Sequence, residues 1–285
     1  MRIAIGTVQF GMTYGIANNS GQVPLDEVRE ILNIARSAGV DTLDTAIAYG
    51  TSEQVLGEVG VGDWQIITKL PGIPDACDDV EEWMRQSIKS SFQRLNTERV
   101  KGLLLHRPQQ LKGEKGARIY KALLELKQRG TVEKIGFSIY SPSELDILWD
   151  DFQPDIIQVP FNILDRRLED TGWLSKLHTA GVEIHVRSVF LQGLLLMGEA
   201  TLPKKFQRWS GYWVRWNNWL INEKLSPVQA ALGFALSKPE IDRVVVGIDS
   251  MKQLSEILQV ANDVVPEVPA EFSCTDENLI NPANW

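Results

Sequence analysis

The sequence predicts one closed α/β barrel in which eight parallel strands alternate with helices, a single (β/α)8 barrel of the TIM type. Three observations predict it. Eight short apolar runs alternate with helix-like segments from end to end. Several runs, such as IIT, LLL and VVV, are near-continuously apolar, as expected where helices cover a parallel sheet. The glycine-rich turn that an open doubly wound sheet needs after its first strand is missing, because Gly6-Thr7-Val8-Gln9-Phe10-Gly11 does not supply GxGxxG.

The strands are read at 2–5, 41–44, 65–69, 102–106, 134–138, 155–160, 182–187 and 243–247. Between them the pattern turns helical. In 26–38, Val28, Ile31, Leu32 and Ala35 fall on one helical face, and Gly39 stands where such a helix would stop. Ser141-Pro142-Ser143-Glu144, Ser226-Pro227-Val228-Gln229 and Ser250-Met251-Lys252-Gln253 read as capping boxes. The first two place proline at the first helical position. No linker or internal repeat interrupts 1–285, so one domain is expected, its active site at the C-terminal ends of the strands.

One connection is unusually long. Residues 188–225 include FQRWSGYWVRWNNWL, which holds Trp209, Trp213, Trp216 and Trp219 of the nine tryptophans. Trp209, Trp213 and Trp216 read either as one side of a helix packed on the barrel or as lining of a substrate pocket. The tail, about 264–285, would either cover the barrel mouth with Trp285 reaching the pocket or pack on the outer helices.

Composition narrows the partners. The 285 residues carry a formal net charge of −8, which disfavours binding to nucleic acid or an anionic membrane. No apolar stretch is long enough to span a bilayer, and the N-terminus lacks a signal-peptide layout. Cys77 and Cys274 show no metal-ligand spacing and fit two reduced thiols in a cytoplasmic protein; no metal is expected.

Four stretches carry the chemistry: DTAIAYG at 44–50, TKL at 68–70, LLLH at 103–106 and IGFS at 135–138. They set Asp44, Tyr49, Lys69 and His106 at the ends of successive apolar runs. A phenol of pKa ~10 is a poor proton donor near neutrality. An ammonium within hydrogen-bond reach would lower that value, and a buried lysine needs a carboxylate to stay cationic. Taken singly, Lys69 and Asp44 would be a structural ion pair and His106 a satisfied core histidine. Together they read as a device that hands a proton to a carbonyl oxygen.

On these residues the chain resembles an aldo-keto reductase over nearly its whole length. DTAIAYGTSEQVLG at 44–57 follows that family's Asp-Thr-Ala, Tyr-Gly, Ser-Glu and Leu-Gly pattern. The resemblance implies a catalytic tetrad of Asp44, Tyr49, Lys69 and His106, with Tyr49 as proton donor and His106 orienting the carbonyl. It also implies a nicotinamide dinucleotide as hydride source, its carboxamide held by Ser138 and Gln158. Gln192 and Gly193 match the loop near the pyrophosphate, and Asn162 matches a structural residue. A monomer acting on a small carbonyl compound, sugar-like or anionic, is the corresponding expectation.

Three departures from the family pattern stand out. Ile139 replaces an asparagine that usually follows the serine. Arg187 replaces a tyrosine that stacks on the nicotinamide, and reads as a stacking plane, a grip on an anionic substrate or a structural ion-pair member. At the eighth strand Gly247, Ile248 and Gln253 replace Lys, Ser and Arg of 2′-phosphate binders, leaving Ser250 and Lys252. Helix-start amides favour a phosphate there, while Asp249 opposes it. NADP is the family's usual cofactor; here weakened selectivity is expected, with NAD or dual use. The rival reading is a cofactor-binding regulatory barrel with little turnover. His178 and His185 are expected to be exposed and packed, respectively, and not catalytic.

Overall fold

All eight expected strands form, and they close on themselves. The computed structural model describes residues 1–18 and 20–285. The strands are β1 (Ile3–Gly6), β2 (Thr42–Asp44), β3 (Gln65–Leu70), β4 (Val100–Leu105), β5 (Val132–Ser138), β6 (Ile156–Pro160), β7 (Glu183–Arg187) and β8 (Arg243–Gly247). Each pairs in parallel with its neighbours, and β1 also pairs with β8, so the order is a closed barrel. The observed ends differ from the expected ones by at most two residues, and β8 coincides at both. His106 lies just beyond β4, its backbone N–H bonded to the Leu70 carbonyl at 2.9 Å.

The helices are α1 (Val8–Gly11), α2 (Leu25–Ser37), α3 (Ser52–Val59), α4 (Val80–Leu95), α5 (Gly116–Gln128) and α6 (Ser143–Leu148). They continue with α7 (Arg167–Asp170), α8 (Trp173–Thr179), α9 (Ser210–Glu223), α10 (Pro227–Leu236), α11 (Met251–Val260) and α12 (Glu277–Ile280). In α2 the buried residues are Val28, Ile31, Leu32 and Ala35, the face that the 3.6-residue spacing marks. Among the described residues no helix is long and apolar enough to cross a membrane.

The three caps turn out unequal. Ser226 and Gln229 form the full reciprocal box at α10. At α6, Glu144 accepts from the amides of Tyr140 and Ser141, but the Ser141 hydroxyl meets the Ser143 hydroxyl at 2.9 Å and the Ser143 amide at 3.4 Å instead of the Glu144 amide. That box is half made because α6 starts late, with Pro142 as its N-cap. At α11, Ser250 caps the Gln253 amide, while the Gln253 carboxamide reaches one residue further back, to the Asp249 amide.

The long connection after β7 folds into 3-10 turns and α9, whose buried face is Trp213, Trp216 and Leu220. The tail docks beside it. Trp285 meets Phe206 edge-on, 4.8 Å between ring centres, and the Cys274 amide donates to the Leu164 carbonyl. His178 is exposed; His185 is fully buried, its Nε2 2.7 Å from Glu183. Both cysteines are free thiols.

Glu53 ties three elements together from inside α3. Its carboxylate accepts from Thr68 on β3 at 2.7 Å, Ser91 on α4 at 2.6 Å, and two guanidinium nitrogens of Arg94 at 2.7 and 2.9 Å. Removing a buried acceptor of this kind leaves several donors without partners. Glu53→Ala should therefore cost roughly 3 kcal/mol in urea melts. Arg29→Ala, which removes exposed bridges to Asp26 and Glu58, should change stability by less than ~1 kcal/mol.

Candidate active site

Side chains on a strand alternate between its faces, so every second residue points into the barrel. Ile67, Leu104 and Ile156 form their own buried apolar cluster there. Two residues further along β3, β4 and β6 come Lys69, His106 and Gln158. Asp44, Ser138, Arg187 and Gly247 have the same parity on β2, β5, β7 and β8. The expected residues thus make one polar layer directly above an apolar plug.

At its centre lies an ion pair. The Lys69 ammonium is fully buried and donates to both oxygens of Asp44, at 2.7 and 2.8 Å, and to the Thr45 carbonyl at 2.9 Å. Those three bonds use all three ammonium protons. Gln158 Nε2 donates to the second Asp44 oxygen at 2.6 Å, and Ser138 Oγ donates to Gln158 Oε1 at 3.4 Å. Burial lowers the Lys69 pKa, and Asp44 opposes that drift.

Tyr49 and His106 stand over this pair. The Lys69 nitrogen is 5.0 Å from the centre of the Tyr49 ring, and the Tyr49 and His106 rings meet edge-on at 5.9 Å. Here the structure departs from the expectation that the ammonium acidifies the phenol by hydrogen bonding. The ammonium's donors are spent on Asp44 and Thr45. Burial, and then the Asp44 charge, push the Tyr49 pKa upward, with Arg187 pulling the other way. His106 is drawn down to about 4, by burial first and by the Lys69 charge second, so its imidazole is neutral at pH 7.

Tyr49, His106 and Arg187 line a cavity of about 360 Å³ that runs across the barrel mouth to Gly247, Asp249 and Gln253. Arg187 has neutral partners: the Ile139 carbonyl at 3.0 Å, the Ser188 hydroxyl at 3.2 Å and the face of Tyr140 at 4.7 Å. That disfavours the structural ion-pair reading. Gln192 and Gly193 are on the wall, and Gln192 Nε2 donates to the Tyr14 hydroxyl at 3.1 Å, linking the loops after β7 and β1. Gly193 has φ +89°, and a Cβ there would come within 2.4 Å of Ala17 Cβ. Only glycine permits that approach.

Other expected residues lie off the wall. Ser138 and Gln158 are buried beneath it, in the Asp44 network. Ser250 is engaged as the α11 cap and Lys252 is exposed, neither being among the cavity residues. Trp209, Trp213 and Trp285 are not brought to the cavity either. Trp209 donates to Asp276 at 3.0 Å, Trp213 lies on the buried face of α9, and Trp285 rests on Phe206. Within α9 the helical spacing puts Trp213 and Trp216 on the buried face, and Trp216 packs there against Leu195 and Phe272.

The wall also holds Gln9, Tyr14, Tyr140 and Glu256, which no sequence motif marks. Gln9 is 8% exposed, and its Oε1 has no hydrogen-bond partner among the described residues. A Cβ on Gly247 would collide with the Gln9 carboxamide at 2.4 Å. The one signal for them in the sequence is position: Gln9, Tyr14 and Tyr140 follow the C-terminal ends of β1 and β5, where barrel sites are built. The orphaned acceptor and the bare backbone at Gly193 and Gly247 suit an extended ligand laid across the mouth.

A family profile described as the Aldo/keto reductase family matches residues 2–271. The chain is similar to Oxidoreductase sirO of Leptosphaeria maculans, at 27% identity over 90% of this chain and 87% of that protein. It is similar to Uncharacterized oxidoreductase YqkF of Bacillus subtilis, at 25% identity over 88% of this chain and 85% of that one. Among solved structures, the holo form of aldo-keto reductase AKR11C1 from Bacillus halodurans superposes with a TM-score of 0.74. It shares 21% identity, across 95% of this chain and 89% of that one, and shows the same fold.

The ion pair yields a prediction separate from activity. Lys69→Met leaves the Asp44 carboxylate buried and unpaired, so it should cost roughly 3–5 kcal/mol in denaturant melts. Adding Asp44→Asn to it should restore much of that loss, as the coupling of a double-mutant cycle.

Proposed function

The chain belongs to the aldo/keto reductase family, and from that premise we propose that it reduces an aldehyde or ketone with hydride from a nicotinamide dinucleotide. Tyr49 delivers the proton to the carbonyl oxygen. One observation carries the reading: a buried lysine–aspartate pair directly beneath a tyrosine and a neutral histidine on a cavity wall.

The protein's own part divides into three roles. His106, neutral above about pH 4, offers an imidazole N–H that orients the carbonyl oxygen toward Tyr49. Tyr49 keeps its proton through the neutral range until a developing alkoxide takes it. The Lys69 charge, 5.0 Å from the ring, then stabilises the phenolate, while Asp44 and Gln158 hold that charge in place. Low polarity around the pair strengthens the effect.

A bound nicotinamide supplies the hydride that no side chain provides. Gln192, Gly193, Gly247 and Gln253, which line the cavity, would hold it there, with the Gln9 oxygen on the same wall. Arg187 offers a planar cation at the reactive end, suited to ring stacking or to an anionic substrate group. Ser138 and Gln158 act from beneath, through Asp44. The substrate is a small polar carbonyl, and the protein works as a single-domain cytoplasmic monomer.

Loss of nicotinamide absorbance at 340 nm in the presence of a panel of simple aldehydes and ketones tests the reaction. Tyr49→Phe should lower kcat by about 10²–10⁴-fold while cofactor affinity stays within about threefold. Cofactor binding without turnover on any carbonyl would favour the regulatory reading instead.

The pH profile is a second check. The folded pKa of His106 lies below its ordinary value, so the neutral form persists as pH falls and is lost near pH 4. The acid limb of kcat/KM should fall near pH 4 and not near 6.5. By the same sign, folding stability should decline as pH drops from about 6.5 through about 4, where only the unfolded chain takes up the proton.

A further inference from the structure

The cavity has two chemically opposite ends. At the Tyr49 and His106 end stand the Arg187 and Lys69 cations. At the other end, where β8 passes into α11, the wall offers acceptors: the orphaned Gln9 Oε1, the Asp249 carboxylate and, at the outer edge, Glu256. Among the described residues, those lining the cavity at that end include neither lysine nor arginine.

Three further contacts make this end hostile to an added anion. The Met251 amide, the first in α11, already donates to the Glu27 carboxylate at 3.2 Å. The Gln253 amide is taken by Ser250, and the Asp249 amide by the Gln253 carboxamide at 2.8 Å. The helix start that would otherwise welcome a phosphate is thus occupied, partly by a carboxylate. Asp249 itself is held by amides, Asn18 Nδ2 and Gln253 Nε2, each 3.4 Å from one of its oxygens. Burial raises its pKa, and the opposing influences are those of Gln253 and Gln9, both neutral.

On the reading that the reactive ring lies beside Tyr49, a dinucleotide laid along the cavity brings its adenosine ribose to this end. We infer that Asp249, backed by Glu27 and Gln9, makes the site select the dinucleotide whose adenosine ribose carries free hydroxyls, and reject the 2′-phosphorylated form. Hydroxyl donors satisfy Gln9 Oε1 and the Asp249 carboxylate. A phosphate dianion there meets fixed negative charge and helix amides already in use. The protein is accordingly an NAD(H)-selective enzyme, in contrast to the NADP use that the family resemblance implies.

Direct binding tests this without turnover. Tryptophan fluorescence of the full-length protein, titrated with NADH and NADPH at low salt, should show NADH binding at least about tenfold tighter. Asp249→Asn should narrow that gap several-fold, chiefly by tightening NADPH, and Glu27→Gln should act in the same direction. Raising the salt concentration should also narrow it, because the discrimination is electrostatic. Melting curves keep misfolded variants out of the comparison, and the wild-type ratio stands by itself. NADPH binding as tightly as NADH overturns the inference and leaves the reductase reading intact. A gap that neither substitution changes overturns the role of Asp249 and Glu27. Failure of both nucleotides to bind overturns the reductase reading and this inference with it.

Discussion

A charge sealed inside a protein needs an opposite charge against it, and in this barrel that requirement falls on Lys69 and Asp44. The ammonium has no access to water, and its three protons find two carboxylate oxygens and one carbonyl. The geometry holds β2 and β3 in register and directs Gln158 toward Asp44 from across the barrel. It also fixes how the lysine acts on its surroundings. With its donors spent, Lys69 influences Tyr49 and His106 as a fixed field and not as a hydrogen-bond partner. The depressed basicity of His106 follows from the same arrangement, since burial and a neighbouring cation both disfavour a second positive charge.

Much of this arrangement is legible in the amino-acid sequence, and the reason is the period of a strand. Asp44, Lys69, His106 and Arg187 read as strand-end residues because the apolar runs before them are unambiguous. The α2 face and the α10 cap are equally plain, each being set by local spacing. Less legible is anything set by the direction a side chain takes once neighbours crowd it. The family pattern assigns Gln158 to a carboxamide, yet it faces Asp44. Residue chemistry alone pairs Lys69 with a phenol, yet it exhausts itself on its counter-ion. Gln9, Tyr14 and Tyr140 carry no periodic signal, and only closure of the barrel brings them to one wall.

The tryptophan-rich connection shows the same division. Spacing alone allows either a pocket lining or a packed helix, because a ring suits both. Burial decides: Trp213 and Trp216 face inward from α9, and Trp216 donates its indole N–H to the Leu195 carbonyl at 3.1 Å. Besides Leu196, the connection therefore contributes to the mouth through its first six residues, 188–193. Four of these six, Ser188, Leu191, Gln192 and Gly193, have positive φ. Strain of that kind gathers where backbone must come close to something, and here the loop after β1 lies against it.

The apolar plug of Ile67, Leu104 and Ile156 sits one step below the polar layer and on the same side of each strand. An apolar storey and a chemical one are thereby stacked in one barrel. A member of the polar layer outside the Lys69–Asp44 pair, such as position 187 where an arginine stands in for a tyrosine, can be exchanged while the storey beneath keeps the strands together. A single-residue insertion or deletion within a strand has no such freedom, because it would turn that strand's plug and ring residues outward together. A lineage built this way diversifies its substrates by substitution at strand ends and by rebuilding loops, and the strand interiors stay constant in length.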